Sequence, residues 1–314
     1  FSPANAKTYG QWLGRRYKDK PIIWILGGDR PVENDKHKQI IRAMAQGLRE
    51  GDGGRHLITF HPMGGNSSSR WLHDEQWLDF NMLQSGHGAK DLANYDMVAA
   101  DYARRPTKPC MDAEPRYDDH PVRGAKQKGQ WFDDYDCRQA AYWNLLAGGH
   151  GHTYGCHPIW MMRHKRLPKM GWPGPVRHYW DEVLDLPGTW QMLVARRLIQ
   201  SRPMLERVPD QSLIAGEPGK GADHVQAARG KGYAFVYVPA GKPVKVNLGK
   251  ISGTKVKAWW YDTRSGMAKA IGEFDNKGVR EFTPPGQPAR GNDWVLVLDD
   301  AGAEFSVPGV IPDR

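Results

Sequence analysis

The chain has 314 residues, of which 39% are hydrophobic and 13 are Trp, so it can bury the core of one large domain and one smaller domain. It contains no run of about 18 apolar residues, and we therefore expect no membrane-spanning helix. Its net charge is 44 − 35 = +9, which favours acidic partners such as nucleic acid or an acidic polysaccharide.

Two further features of the sequence narrow the class of partner and the kinds of cysteine site that we expect. Because the chain has no concentrated Lys/Arg run, no glycine-rich phosphate loop and no RNA-binding signature, nucleic acid is the weaker of the two partners. Cys110, Cys137 and Cys156 are odd in number, widely spaced and without a C-x-x-C pattern. They predict neither a disulfide framework nor a thiolate zinc site.

The chain begins with a predicted helix within residues 1–20. Tyr9, Trp12, Leu13 and Tyr17 recur at helical spacing, with basic residues between and after them. This spacing predicts a helix that packs its aromatic face against the strand that follows.

That strand lies in the segment Pro21 to Arg30, PIIWILGGDR. Its unalternating, β-branched run from Ile22 to Leu26 predicts a strand that is buried on both faces. Asp29 follows the glycine pair where the strand meets solvent, which is where α/β folds place catalytic groups. Asp29 is equally compatible with turn or helix-capping chemistry, so this segment alone leaves both interpretations open.

A helix and four more strand-like runs follow in order. Asn34 or Asp35 can cap a helix with apolar residues every three or four positions, which ends at Gly51 to Gly54. The four runs each stop at a polar loop that contains Gly or Pro, and they are His56–Phe60, Phe80–Ser85, Pro109–Ala113 and Gly149–Gly155. Their spacing suits βα units of a parallel sheet or barrel. A closed barrel needs eight units, so either three precede residue 1 or the sheet is open.

Two further helices are predicted, and the pattern of the chain changes after the second of them. Helices are predicted from Asp134 to Leu146 and from Leu184 to Pro203, and Pro209 to Gly230 is a predicted linker. Strands of a small antiparallel sandwich are then predicted at Tyr233–Val238, Val244–Leu248, Lys255–Tyr261 and Asp293–Leu298. We therefore expect a catalytic α/β domain at residues 1–203 and a β-sandwich at residues 204–314.

Asp29 and Glu114 are the two carboxylates that end unalternating apolar strands. In a barrel both would project into one mouth, and a facing carboxylate pair is the minimum apparatus for glycosidic bond hydrolysis. Glu114 could instead form a salt bridge at a strand end, because Arg116 is close and would keep its pKa low. A low pKa suits a nucleophile, so we assign Glu114 as nucleophile and Asp29 as acid/base.

Histidines cluster at the same strand ends, at positions 61, 87, 150, 152 and 157. His150 and His152 would share one side of a strand, which suits a metal ligand pair. The alternative is that these histidines hydrogen-bond a sugar or the carboxylates. We favour the alternative, with no metal and no cofactor, because no recognised ligand spacing such as H-E-x-x-H accompanies them.

Other polar and aromatic residues near the strand ends are candidates for binding sugar hydroxyls. The candidate substrate-binding residues are His61, Asn81, Gln84, His87, Arg116, Tyr154 and Trp160. Aromatic side chains are dense in the loops and can stack on sugars, and they include Trp71, Trp77, Trp131, Trp160 and Trp172. We expect most of these five to be core or loop anchors.

Several long blocks resemble the apiosidase-like enzymes of glycoside hydrolase family 140. They are IIWILGGDR, LITFHPMGGNSSSRWLHDEQWLDFNMLQSGHG, KPCMDAEPRYDD and GHTYGCHPIW. The tail, with VKVNL, AWWYDTRSG and DWVLVL, resembles the small β domain of collagen-binding type that follows such barrels. The resemblance implies a secreted or periplasmic bacterial enzyme with a (β/α)₈ barrel that hydrolyses an apiosyl linkage to galacturonic acid in the pectin rhamnogalacturonan II. It places the acid/base at Asp29 after strand four and the nucleophile at Glu114 after strand seven.

The N-terminal part of this chain differs from that of family members. Family members carry three βα units ahead of the GGD strand, so we expect a truncated barrel whose open edge is filled by another element, such as the missing N-terminal barrel segment. Residues 1–314 without that element are expected to be poorly stable or inactive. A non-catalytic carbohydrate- or matrix-binding protein is the second hypothesis, and Glu114→Gln separates the two, because a binding protein would keep its affinity.

Overall fold

A computed structural model describes residues 1–166 and 176–312, so Trp172 lies outside the described residues. The chain divides into two compact units. The first comprises Phe1–Gly86 and Met97–Glu114, and the second comprises His87–Asp96 and Pro115–Arg314. Within the described residues, the helices are too short or too polar to cross a membrane.

Helices and strands alternate up to residue 114. In chain order they are α1 Pro3–Tyr17, β1 Trp24–Gly27, α2 Asp35–Asp52, β2 Ile58–His61, β3 Asn66–Ser67, α3 Ser69–Leu72, β4 Asn81–Gln84, α4 Asn94–Tyr102 and β5 Cys110–Asp112. Strand β1 pairs in parallel with β2, and β4 pairs in parallel with β5. The short strand β3 is antiparallel to β4 and was not predicted. These pairings confirm the predicted strand positions and a parallel α/β arrangement in this unit.

The prediction that β1 is buried on both faces is wrong. Its residues alternate between half-buried and exposed, and Ile23 and Ile25 are 51% and 52% exposed. Trp24 and Leu26 instead pack against the buried core around Leu48 and Ile58. One flank of β1 is therefore apolar and open in the described part of the chain.

Helices α1 and α2 pack against each other through glycines. The buried residues of α1 are Ala6, Gly10 and Gly14, whereas Tyr9 and Trp12 are 45% and 49% exposed. A Cβ atom placed on Gly10 would lie 2.6 Å from the carbonyl oxygen of Met44 in α2. The helix and its contact with β1 were predicted correctly, since the Tyr17 ring lies edge-on to that of Trp24 at 6.3 Å. The glycine contact with α2 was not predicted, because small residues allow close backbone approach that hydrophobicity does not report.

Local signals set the ends of α2 as predicted. The Asn34 side chain accepts a hydrogen bond from the N–H of His37 and caps the helix. Gly53 ends it in the left-handed conformation, at φ 71°.

The elements after residue 114 comprise helices and then an antiparallel sheet. They are α5 Asp134–Leu146, β6 Gly151–His152, α6 His157–Trp160, α7 Pro187–Gln200, β7 Val208–Pro209, β8 Gln226–Arg229, β9 Tyr233–Val238, β10 Val244–Asn247, β11 Lys255–Asp262, β12 Ala268–Asp275, β13 Val279–Phe282 and β14 Trp294–Asp300. The α5 prediction and the four sandwich strands are confirmed. The predicted linker contains β8, whose sequence QAAR lacks β-branched residues.

Six of these strands form one sheet in the order β12-β11-β14-β9-β8-β7, and β10 pairs with β13. One face of the sheet joins α5 and α7 in a shared core that includes Trp143, Leu198 and Phe235. The other face forms a second core with β10 and β13, around Val246 and Phe282. Both faces of the sheet are therefore buried over much of their area.

Candidate active site

The chain leaves β1 through three residues with positive φ. Gly27, Gly28 and Asp29 have φ values of 80°, 139° and 56°, and the last of these is uncommon for a residue with a side chain. This path exposes Asp29 at the carboxyl end of β1. It also directs the Asp29 backbone N–H to Nδ1 of His61, at 3.2 Å.

His61 connects the Asp29 loop to Glu114. It ends β2, and its Nε2 lies 2.8 Å from Oε2 of Glu114, with the two side chains only 17% and 18% exposed. Nδ1 of His61 also lies 2.9 Å from the carbonyl oxygen of Pro62. Through one imidazole, the structure thus joins the segments that carry both predicted catalytic carboxylates.

The electrostatic surroundings of His61 favour its protonated form. Burial lowers the pKa of the ring, but the hydrogen bond and the charge of Glu114 outweigh it, and Pro62 and Asp29 add to them. The net effect raises the pKa of His61 above its usual value of 6.5. A protonated or Nε2–H ring donates to Glu114, which stabilises the ionised carboxylate.

Gln84 lies at the carboxyl end of β4, and it is only 4% exposed. Its amide nitrogen would lie 3.8 Å from a Cβ placed on Gly64, in the loop that follows β2. Its Oε1 atom is buried and has no hydrogen-bond partner among the described residues. A buried acceptor without a partner is uncommon, so Gln84 remains a candidate for a sugar hydroxyl.

Asn81 was assigned to the wrong end of the same strand. It begins β4, whereas catalytic groups on parallel strands gather where the strands end. It is fully buried, and its Nδ2 donates to Nδ1 of His73 at 3.1 Å. Asn81 is therefore part of the core and cannot contact a sugar in this conformation.

Arg116 is also a structural residue. It is 2% exposed, its Nε donates to the carbonyl oxygen of Asp136 at 3.2 Å, and its Nη1 donates to that of Leu92 at 3.2 Å. Its guanidinium lies over the ring of Trp143, 5.5 Å from the centroid. Its Nη2 is buried and has no hydrogen-bond partner among the described residues, so substrate binding by Arg116 stays a prediction beside this structural role.

Tyr154 takes part in a buried hydrogen-bond chain in the second unit. Its hydroxyl donates to Oδ2 of Asp118 at 3.1 Å and accepts from Thr189 at 3.3 Å. Burial raises the pKa of Asp118 to about 6, although the Tyr154 hydrogen bond opposes it. Sequence reasoning missed Asp118. The signal for it was the acidic run that follows Glu114.

His87 lies in an aromatic cluster of the second unit. Its ring stacks on that of His120 at 4.0 Å, and the His120 ring lies 4.4 Å from that of His157. Burial, with the two neighbouring rings, lowers the pKa of His120 to about 2, so the ring is neutral. Trp160 packs edge-on to His157 and is 46% exposed, which leaves it accessible to a ligand.

Asp112 is a further buried acid that sequence reasoning did not identify. It lies two residues before Glu114, and Oδ2 accepts a hydrogen bond from the Ser85 hydroxyl at 2.6 Å. Asp112 is the last residue of β5, and its place at the carboxyl end of a predicted strand was the available signal.

The described residues offer no group of three or more His, Cys, Asp or Glu side chains arranged to hold a metal ion. In the predicted His150–His152 pair, Nδ1 of His152 lies 3.3 Å from the Asn144 amide nitrogen. Burial lowers the pKa of His152 to about 3. Trp71 and Trp77 pack against a buried core, as expected for anchors.

Comparison with solved structures gives two close relatives. A protein described as a glycoside hydrolase is 37% identical, with a TM-score of 0.91, and the match covers 98% of this chain and 71% of that one. A protein described as a glycoside hydrolase family 5 member, from Bacteroides vulgatus ATCC 8482, is 36% identical, with a TM-score of 0.92 and coverage of 100% and 70%. The search of curated proteins gave no significant match.

Comparison with protein families gives two matches along the chain. Residues 1–206 match the family described as "Apiosidase-like, catalytic domain". Residues 208–299 match "Putative collagen-binding domain of a collagenase". Because the first match covers well over half of the residues, the chain belongs to the apiosidase-like family and is a glycosidase.

Proposed function

We propose that this glycosidase hydrolyses an apiosyl or related furanosyl linkage in an acidic pectic polysaccharide by a retaining mechanism. Glu114 is the nucleophile and Asp29 is the acid/base. The observation that carries the assignment is the position of the His61 imidazole, whose Nε2 lies 2.8 Å from Glu114 and whose Nδ1 lies 3.2 Å from the Asp29 backbone nitrogen.

The two carboxyl groups divide the reaction between them. Glu114 attacks the anomeric carbon while Asp29 gives its proton to the departing glycosidic oxygen, so one C–O bond forms as the other breaks. Asp29 then takes a proton from water, which attacks the anomeric carbon and releases Glu114. Retention requires a carboxyl separation of about 5–5.5 Å in the complex with substrate, against roughly 6.5–9.5 Å for inversion.

His61 supports the nucleophile in this mechanism. A nucleophile must be ionised, and an Nε2–H donor at 2.8 Å stabilises the charged form of Glu114. The sequence predicts that the histidines hydrogen-bond a sugar or the catalytic carboxylates, and the contact of His61 with Glu114 is of the second kind. It supports a role for His61 in orienting the carboxylate.

The substrate proposal rests on family membership and charge. The family description names apiosidase-like enzymes. The resemblance to family 140 implies an apiosyl linkage to galacturonic acid in the pectin rhamnogalacturonan II. The net charge of +9 would attract such an acidic chain. We place the protein in a secreted or periplasmic compartment, where plant cell-wall glycans are met.

We further propose that residues 1–203 belong to a (β/α)₈ barrel and residues 204–314 to the β-sandwich. The parallel β1–β2 and β4–β5 pairs support a barrel, and the exposed Ile23 and Ile25 require a covering element. Further strands of the barrel, from an N-terminal segment, are the partner that this flank suits.

Paired substitutions test the catalytic assignment. On an apiose-bearing fragment of rhamnogalacturonan II, Glu114→Gln should lower kcat by at least about a thousandfold. Asp29→Asn should lower it by about 10²–10⁴-fold. On an aryl apioside with a nitrophenol leaving group, Asp29→Asn should affect bond cleavage far less, because that oxygen needs no proton.

The outcomes separate the two hypotheses. Glu114→Gln that keeps hydrolysis would contradict the nucleophile assignment. A protein with no hydrolysis on any apiosyl substrate, and unchanged glycan affinity in Glu114→Gln, would support the alternative of a non-catalytic carbohydrate- or matrix-binding protein. Release of the inverted anomer, observed by proton NMR, would refute retention.

A further inference from the structure

Helix α5 begins with two acidic residues that lock its first turn. Asp133 caps the helix and accepts the N–H of Asp136, while Asp136 accepts the N–H of Asp133 at 3.0 Å. Asp136 is fully buried, whereas the Asp133 side chain is 46% exposed. Burial and the nearby charge of Asp133 raise the pKa of Asp136. Nearby cations are therefore needed to stabilise the ionised Asp136 carboxylate.

The main cation comes from the C-terminal sheet region. Arg290, in the loop between β13 and β14, donates two hydrogen bonds of 2.8 Å to the two carboxylate oxygens of Asp133. Its Nη2 also lies 2.9 Å from Oδ2 of Asp136, and its guanidinium lies over the ring of Tyr135 at 4.6 Å. The planar fork of arginine suits this bidentate contact, which a lysine cannot reproduce.

The first turn of α5 also contacts the segments that follow β4 and β5. Arg116, two residues after Glu114 in the chain, donates to the carbonyl oxygen of Asp136, and the Cys137 thiol donates to the carbonyl oxygen of Arg116 at 3.5 Å. Lys90, six residues after the end of β4, lies 3.5 Å from Oδ2 of Asp136. The first turn of α5 therefore contacts Lys90 after β4, Arg116 after β5 and Arg290 between β13 and β14.

We propose that Arg290 is a positioning residue for catalysis, through which the C-terminal region fixes the first turn of α5 and, by way of Arg116, the chain that carries Glu114. This proposal rests on Glu114 being the nucleophile. Pro115 is the single residue between Glu114 and Arg116, and its ring fixes its own φ angle. A displacement of the Arg116 backbone therefore acts on Glu114 through one intervening residue.

The test compares variants of the whole protein on a nitrophenyl apioside, below the melting temperature of the least stable variant. Arg290→Gln should lower kcat by about 10- to 100-fold with KM nearly unchanged, because misplacement of a reacting group lowers the rate of chemistry. Arg290→Lys should recover part of kcat. Asp133→Asn should also lower kcat, although Asn caps helices as well as Asp does.

The matched control is Lys242→Gln, which breaks another exposed ion pair of the same region, 2.7 Å from Asp223. Its kcat should stay within about twofold of the wild type, as expected for a surface pair. If Arg290→Gln and Asp133→Asn keep the wild-type kcat and only melt earlier, or if Lys242→Gln loses as much, the proposal is wrong. Glu114→Gln in the same assay reports separately on the proposed function, and its retained activity would overturn both.

Discussion

His61 has more hydrogen-bond partners than ring nitrogens. In the neutral ring with the proton on Nε2, Nδ1 accepts the Asp29 N–H and Nε2 donates to Glu114. In the protonated ring, Nδ1 donates to the carbonyl oxygen of Pro62 and the Asp29 N–H loses its acceptor. The protonation state of His61 therefore decides whether the backbone N–H of Asp29 is hydrogen-bonded to this ring.

At this scale, the pH dependence of stability tests the His61–Glu114 contact. The folded pKa of His61 is raised above 6.5, so its contribution is fully present below 6.5 and is lost as the pH rises through the folded pKa. The difference in melting temperature between the wild type and His61→Gln should therefore be larger at about pH 6 than at about pH 9. A difference that stays constant or grows with pH would count against the contact.

Glycines determine how closely α1 packs against α2. Gly10 and Gly14 of α1 face Gly47 and Gly51 of α2, and a Cβ placed on any of them would lie within 2.6 Å of a carbonyl oxygen of the partner helix. The aromatic residues of α1 remain outside this contact. Backbone approach, rather than side-chain burial, therefore sets where these two helices lie.

Gly47→Ala is the sharpest test of this packing. Its Cβ would lie 2.2 Å from the carbonyl oxygen of Lys7, so the helices must separate. Although Ala favours helix, we expect a net loss of about 1–3 kcal/mol in the free energy of unfolding. Gln39→Ala, exposed on the same helix, should change it by less than about 0.5 kcal/mol in urea titrations. Equal stability of the two variants would refute close packing.

At the scale of the molecule, the C-terminal sheet and the helices of the second unit form one body. Arg138 of α5 forms a bidentate contact with Asp293, which is fully buried and also accepts from Tyr237 and Thr263. The Tyr261 hydroxyl of the sheet donates to the carbonyl oxygen of Val194 in α7. These contacts bury the helix-facing surface of the sheet, and on that ground we propose that the sheet is a scaffold rather than a collagen-binding module.

Removing Asp293 should destabilise helices and sheet together. Asp293→Ala leaves the buried Arg138 without its main partner, and we expect a loss of about 3–5 kcal/mol. Adding Arg138→Met should restore part of it, because the unpaired charge is gone. Asp275→Ala, which breaks an exposed pair with Lys277, should cost less than about 1 kcal/mol. Amide hydrogen exchange in Asp293→Ala that becomes faster in the sheet while α5 and α7 keep their protection would contradict a single body.

Local patterns in the sequence determined where the strands and helices lie. Apolar runs that end in Gly or Pro located β1, β2, β4 and β5, and period and capping located α2 and α5, because these signals act between near neighbours in the chain. Asp29 and Glu114 were selected by the same rule, as carboxylates that follow apolar strands. The long blocks of matching residues were enough to identify the family.

Tertiary contacts alone decided which polar residues face a site and which support the core. Asn81 and Arg116 are polar residues near strand ends, yet one lies at the amino end and the other is held under Trp143. The exposed edge strand β12 alternates too weakly to be recognised. The burial of Arg116, for example, depends on Leu92, Asp136 and Trp143, which lie at least 20 residues away along the chain and are brought close only by the fold, so it cannot be derived from the local sequence.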